Sequence, residues 1–192
     1  MPIIDWLLAD LFPLIPKNGE FVNEGLLPAK TDGLAKAIIA SVNAYPQSNV
    51  IFVHRDADNA GLNSRIDQVQ SAIKEAQITY TSAIPVVPVR MTEAWLMVSE
   101  TALRIASNNP NGKIKLGFPS IKQLEKLAKP KQKIEELIRN ASELSGRRLR
   151  SLRVNQCKHR IPFYYEIDDF QSLRRLNSFR EFESSVRKAI RP

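Results

Sequence analysis

The sequence has little of the sulfur and imidazole chemistry that metal-binding and redox proteins use. Its 192 residues include one cysteine, Cys157, and two histidines. A single cysteine excludes an intramolecular disulfide, and so few ligands exclude a structural zinc site. We interpret Cys157 as a free thiol in a reducing compartment, because a nucleophilic cysteine needs a histidine and an orienting partner.

Long apolar runs and glycine-rich phosphate loops are also missing. No run approaches the roughly 20 residues that cross a bilayer. The opening residues contain Asp5 and Asp10 without a basic n-region, so we expect no signal peptide and a cytoplasmic protein. The sequence has no glycine-rich loop of either common type, so its motifs do not indicate an NTPase or a dinucleotide-binding protein.

Positive charge is present in excess and is unevenly distributed. The net charge is +8, and residues 146–192 carry twelve Lys or Arg against five Asp or Glu, a balance of +7. The first 145 residues are therefore nearly neutral. We predict an α/β domain over residues 1–145 and a basic C-terminal extension over 146–192 that packs on it.

The order of apolar patterns predicts an α/β fold with a parallel sheet. Residues 49–54, with four consecutive apolar residues, are typical of a central strand buried on both faces. Helical spacing follows from Ile66, and a second strand is predicted at 84–89, nearer an edge because it contains two prolines. Such strand–helix–strand alternation indicates parallel strands joined by right-handed crossovers.

Two carboxylates follow the first predicted strand. In open α/β sheets ligands bind at the carboxyl ends of strands, which is where Asp56 and Asp58 fall. In extended chain these two side chains point the same way, an arrangement that suits Mg²⁺. The alternative is a loop in which Asp and Asn cap the next helix. It explains Asp56 less well, because a charge beside a buried strand is costly unless paired.

A third carboxylate, Glu93, follows the second predicted strand and lies in the first turn of a short helix. There the helix dipole favours a negative charge, so Glu93 is predicted to join the same site. The alternative is a structural Glu at a helix start, with Trp95 in the core.

A basic stretch near the C-terminus predicts contact with a polyanion. It contains no acidic residue, and arginine binds phosphate in a bidentate manner. A solvated surface is the competing interpretation. The predicted contacts are Arg147, Arg148, Arg150, Arg153, Lys158 and Arg160.

Four segments together resemble a known family. VIFVHRDAD, PVRMTEAWLM, LEKLAKPK and IDDF are similar to a bacterial Toprim-like family of unknown function, related to the Toprim domains of OLD-type nucleases, and the resemblance covers nearly the whole chain. It implies a Toprim fold and a divalent-metal site for Mg²⁺ or Mn²⁺, in which the DxD pair matches Asp56 and Asp58 and the EAW motif matches Glu93 and Trp95. It also implies a partner ATPase of the ABC or AAA type encoded nearby.

The resemblance leads to an expected function and to its rivals. We expect a metal-dependent nuclease subunit of an anti-phage defence system, acting on DNA or RNA, with His54 and Arg55 contacting phosphate. Homo-oligomerisation is left open. The rivals are an inactive Toprim-like module that binds an ATPase or nucleic acid, and a phosphatase or nucleotidyl-transfer enzyme. The family's first acidic residue is a Glu-Gly after an opening strand, whereas Glu20 and Glu24 follow a predicted helix.

Overall fold

The computed structural model describes residues 2–22, 27, 33–89 and 92–190, and it confirms the α/β class. Two parallel strands, β1 (Val50–His54) and β2 (Ser82–Val86), form the sheet of the described residues. Glu24 lies outside the described residues, as do Thr31 and Asp32, which the sequence predicts as N-cap candidates of the second helix. Whether the fold is Toprim-like stays a prediction.

Helices account for most of the remaining secondary structure. They are α1 (Pro2–Leu11), α2 (Leu34–Ala44), α3 (Leu62–Ala76), α4 (Glu100–Ala106), α5 (Ile121–Leu124), α6 (Pro130–Ser142), α7 (Gly146–Arg150), α8 (Val154–Arg160), α9 (Ile167–Leu173) and α10 (Asn177–Ala189). Short 3₁₀ helices lie at Asp58–Ala60, Thr92–Met97 and Ile161–Tyr164. Among the described residues, no helix combines the length and the apolar character needed to cross a membrane.

The chain divides into two compact units. The strand unit comprises Leu7–Val89 and Glu181–Pro192, and the helical unit comprises Met1–Trp6 and Arg90–Arg180. The predicted boundary at residue 145 falls inside the helical unit and stays a prediction.

The strand unit follows the predicted β1–α3–β2 order. Its core joins one face of α2 and of α3 to the sheet, through buried residues such as Ile38, Val53 and Val69. The expectation that β1 is buried on both faces was wrong. Val53 is buried, whereas Val50, Ile51 and Phe52 are only half-buried.

The helical unit is organised around Trp95, which is fully buried. Its ring packs edge-on against Phe179, with ring centroids 5.3 Å apart, and its indole Nε1 donates to Ser178 Oγ at 3.0 Å. Ser178 in turn donates to Glu125, which also accepts from the backbone N–H groups of Asn177 and Ser178 at the start of α10. Burying Trp95 is therefore matched by satisfying its polar atom.

Candidate functional site

Beyond the last residue of β1, the backbone stays hydrogen-bonded to the end of β2 and to the residues that follow it. His54 is in register with Val86, and the backbone N–H of Arg55 donates to Val86 O at 3.1 Å. The N–H of Ala57 donates to Pro88 O at 2.9 Å, and Ala57 is fully buried. The backbone on both sides of Asp56 is thus fixed, so the position of its carboxylate is set by the sheet.

Asp56 is the candidate whose surroundings most need explanation. Its side chain is 26% exposed, but Oδ1 is buried and accepts no hydrogen bond among the described residues. The imidazole Nε2 of His54 lies 3.5 Å from Oδ1, close enough for an ion pair but not aligned as a hydrogen bond. A buried carboxylate oxygen without a donor is costly, which gives a cation a reason to bind there.

Asp58 is exposed and does not continue the extended chain. Ala57 is helical, with φ −70° and ψ −34°, and Asp58 has a left-handed φ of 45°. The expectation that Asp56 and Asp58 share a side because the backbone is extended was therefore wrong in its premise. A positive φ at a non-glycine residue is tolerated by Asp and occurs often at functional sites. The expectation that Asp56 and Asp58 bind a metal ion together stays a prediction.

Glu93 lies in the helical unit, and its carboxylate already has a cation beside it. Lys158 Nζ is 3.4 Å from Glu93 Oε1 and 3.9 Å from Glu135 Oε1. The side chains of Glu93 and Lys158 are only 16% and 12% exposed. Because Asp56 and Glu93 belong to different units, the expected convergence of the three acids stays a prediction.

The predicted nucleic-acid contacts separate into two groups. Five arginines are exposed, as expected for a binding surface, and they are Arg147, Arg148, Arg150, Arg153 and Arg160. Lys158 differs, since it is enclosed and paired with Glu93, so we leave it out of the binding surface. His54 and Arg55 are both exposed beside Asp56.

The pairing of Glu93 with Lys158 and the Glu125 cap of α10 were both missed by sequence reasoning. Each joins residues more than 50 positions apart, which periodicity does not reveal. A weak local signal existed for the second, because Asn177-Ser178 begins an amphipathic helix and such a start attracts a capping acceptor.

Within the described ranges, no group of three or more His, Cys, Asp or Glu side chains is close enough to hold a metal ion. A magnesium site made of one or two carboxylates, water and phosphate oxygens needs no such group. The oxygen chemistry of Asp56 fits a hard cation of this kind.

In comparisons with family models, with curated proteins and with solved structures, nothing matches this chain.

Proposed function

We propose that the chain is a Toprim-like, Mg²⁺-dependent phosphodiester-cleaving subunit of a bacterial anti-phage system that acts with an ATPase partner. The observation that carries the proposal is the carboxylate of Asp56 at the carboxyl end of β1, whose buried Oδ1 accepts no hydrogen bond among the described residues. Asp56 would be the first metal ligand, and the exposed Asp58 would be the second.

The residues beside Asp56 suit a phosphate. Arg55 is exposed and follows the last residue of β1, and His54 lies within ion-pair distance of Asp56. An arginine guanidinium is suited to a bidentate contact with a phosphate group. The bound ion would stabilise the attacking and leaving oxygens of the displacement, and these side chains would position the substrate.

The proposal is tested by replacing the two acids separately. With Mg²⁺ or Mn²⁺, nucleic acid and the ATPase present, we expect Asp56→Asn and Asp58→Asn to abolish cleavage while remaining folded. Asp67→Asn, an exposed acid on α3 of the same unit, is the matched control and should cleave normally. Cleavage by Asp56→Asn at the wild-type rate would place the chemistry elsewhere.

A second readout reports metal binding without cleavage. Mn²⁺ should raise the unfolding temperature of the wild-type protein, because a ligand that binds only the folded state stabilises that state. At a free Mn²⁺ concentration of a hundred times Kd, the free energy of unfolding rises by about 2.7 kcal/mol. The Asp56→Asn protein should lose this shift. In EDTA the same substitution should cost little stability, because it breaks no hydrogen bond of Oδ1 and only a 3.5 Å pair with the exposed His54.

An inactive binding module is the second candidate, and the Glu93–Lys158 pair favours it. A carboxylate that is already neutralised by a lysine has less need of a metal ion. If the wild-type protein binds nucleic acid or the ATPase but never cleaves, and Mn²⁺ leaves its unfolding temperature unchanged, this second function replaces the first.

A further inference from the structure

We propose that the helical unit carries a platform for single-stranded nucleic acid, in which the Phe163 ring stacks on a base and the arginines that precede it bind the phosphates. This inference rests on the proposed function for the class of ligand, nucleic acid, but it requires neither metal nor cleavage. The residues concerned are Arg160, Phe163 and Tyr164.

Phe163 is held outward by a turn that is anchored from beneath. The ring is 72% exposed, whereas Ile161 and Pro162 in the same 3₁₀ helix are buried. This helix packs against α4 and α8, so its backbone is supported by two neighbours. An exposed aromatic ring on a fixed turn loses little conformational entropy when a base stacks on it.

Arg160 precedes Phe163 by three residues, and its direction is fixed by Tyr164 and Asn108. Its Nη2 donates to the hydroxyl of Tyr164 at 2.7 Å and its Nη1 to Asn108 Oδ1 at 3.0 Å. Its guanidinium carbon lies 5.6 Å from the centroid of the Tyr164 ring. A guanidinium has five N–H donors, so this exposed group keeps donors for a phosphate while two others fix its direction.

The charge of the surrounding sequence matches a nucleic-acid backbone. Residues 144–165 contain six Lys or Arg and no Asp or Glu. Five of the six are the exposed arginines, since Lys158 is paired with Glu93. A ring can stack only on a base whose face is free, and therefore the surface favours single strands over duplexes.

The neighbouring Ile167 provides an internal comparison. It is 73% exposed, nearly the same as Phe163, but it lies between the exposed acids Glu166 and Asp168. An anionic strand is repelled there. If exposed apolar area alone mattered, as for a protein partner, the two residues would contribute alike.

Binding of labelled single-stranded DNA, single-stranded RNA and duplex DNA in EDTA tests the proposal. Phe163→Ala should weaken single-strand binding about 5- to 150-fold, the range for loss of one stacked base. Phe163→Leu should weaken it similarly, and Phe163→Trp should retain it. Ile167→Ala should bind as the wild-type protein does, and the slope of log affinity against log salt should not change in any of the four variants.

Several results would overturn the proposal. Wild-type affinity in Phe163→Leu would show that apolar area, not stacking, is used. Equal affinity for duplex and single strands, with no effect of Phe163→Ala, would show a purely electrostatic contact. Absence of nucleic-acid binding, with loss of ATPase binding or self-association in Phe163→Ala, would identify a protein-docking surface. Because EDTA is present, a failed metal site alters none of these results.

Discussion

Replacing Lys158 with methionine removes the cation that lies between two carboxylates of the helical unit. Its ammonium group is 3.4 Å from Glu93 and 3.9 Å from Glu135. Lys158→Met keeps most of the apolar stem and its packing, so the main change is in charge. Glu93 is then left enclosed without a positive partner, while Glu135, which is more exposed, stays better hydrated.

The expected cost follows from enclosure and distance. Two unit charges 3.4 Å apart interact by roughly 5 kcal/mol at an effective dielectric constant of about 20, and breaking a buried pair costs about 3–5 kcal/mol. This pair is not wholly buried, so we expect Lys158→Met to lower the free energy of unfolding by about 2–4 kcal/mol. Glu93→Gln should cost only about 1–2 kcal/mol, because Lys158 keeps Glu135 as a partner.

Urea-induced unfolding in EDTA, followed by circular dichroism, measures these differences. The double variant should be less destabilised than the sum of the single variants by about 1–2 kcal/mol, since both remove one interaction. The control is Lys133→Met, which breaks the pair with Glu136. That pair is shorter, at 3.0 Å, but its side chains are 25% and 54% exposed, so the expected cost is below about 1 kcal/mol. Additivity of the Lys158 and Glu93 effects within about 0.5 kcal/mol would refute a structural role for the pair.

Two further predictions concern the basic surface and the core of the helical unit. Four exposed arginines are replaced together by Gln: Arg147, Arg148, Arg150 and Arg153. The variant should keep the fold, because these side chains are exposed. The slope of log affinity for duplex DNA against log salt should fall by roughly 0.9 for each lost phosphate contact. An unchanged slope, with the ATPase partner lost in a pull-down, would instead assign this surface to docking. For the core, burial raises the pKa of Tyr165 well above its usual value, as does the carboxylate of Asp169, and the phenol donates to Trp95 O at 2.9 Å. The folded state keeps this proton longer than the unfolded chain, so stability is fully present below about pH 10 and is lost above it by about 1.4 kcal/mol per pH unit. Tyr165→Phe should show a shallower alkaline loss than wild type, and equal losses would contradict this account.

The sequence predicted the elements whose signals are local. Four consecutive apolar residues indicated β1, and helical spacing indicated α3 between the strands. Ser99 is a residue type that favours the N-cap, and its hydroxyl oxygen accepts from the backbone N–H of Ala102 at 3.2 Å at the start of α4. The adjacent acids Asp168 and Asp169 are equally typical of a turn, and they lie in the first turn of α9, where Glu166 and Asp169 form a reciprocal capping box.

The parts of the site that escaped prediction depend on non-local contacts or on backbone reversal. Ala57, three residues after β1 ends, is helical, its N–H donates to Pro88 O and its side chain is buried, and the sequence reveals none of these features. The lysine partner of Glu93 comes from α8, 65 positions away. Periodicity locates residues on elements, but it does not identify which charges meet across a core.

Asp56 and Glu93 have different surroundings, and this decides which of the two carboxylates is the better test of metal binding. Glu93 lies beside a lysine that offsets the cost of enclosing its carboxylate, whereas the buried Oδ1 of Asp56 accepts no hydrogen bond among the described residues and has only the exposed His54 at 3.5 Å. A buried carboxylate oxygen that accepts no hydrogen bond leaves a place for a bound cation. For this reason a metal-binding measurement on Asp56→Asn discriminates between enzyme and binding module more sharply than any substitution of Glu93, whose loss disturbs stability in either case.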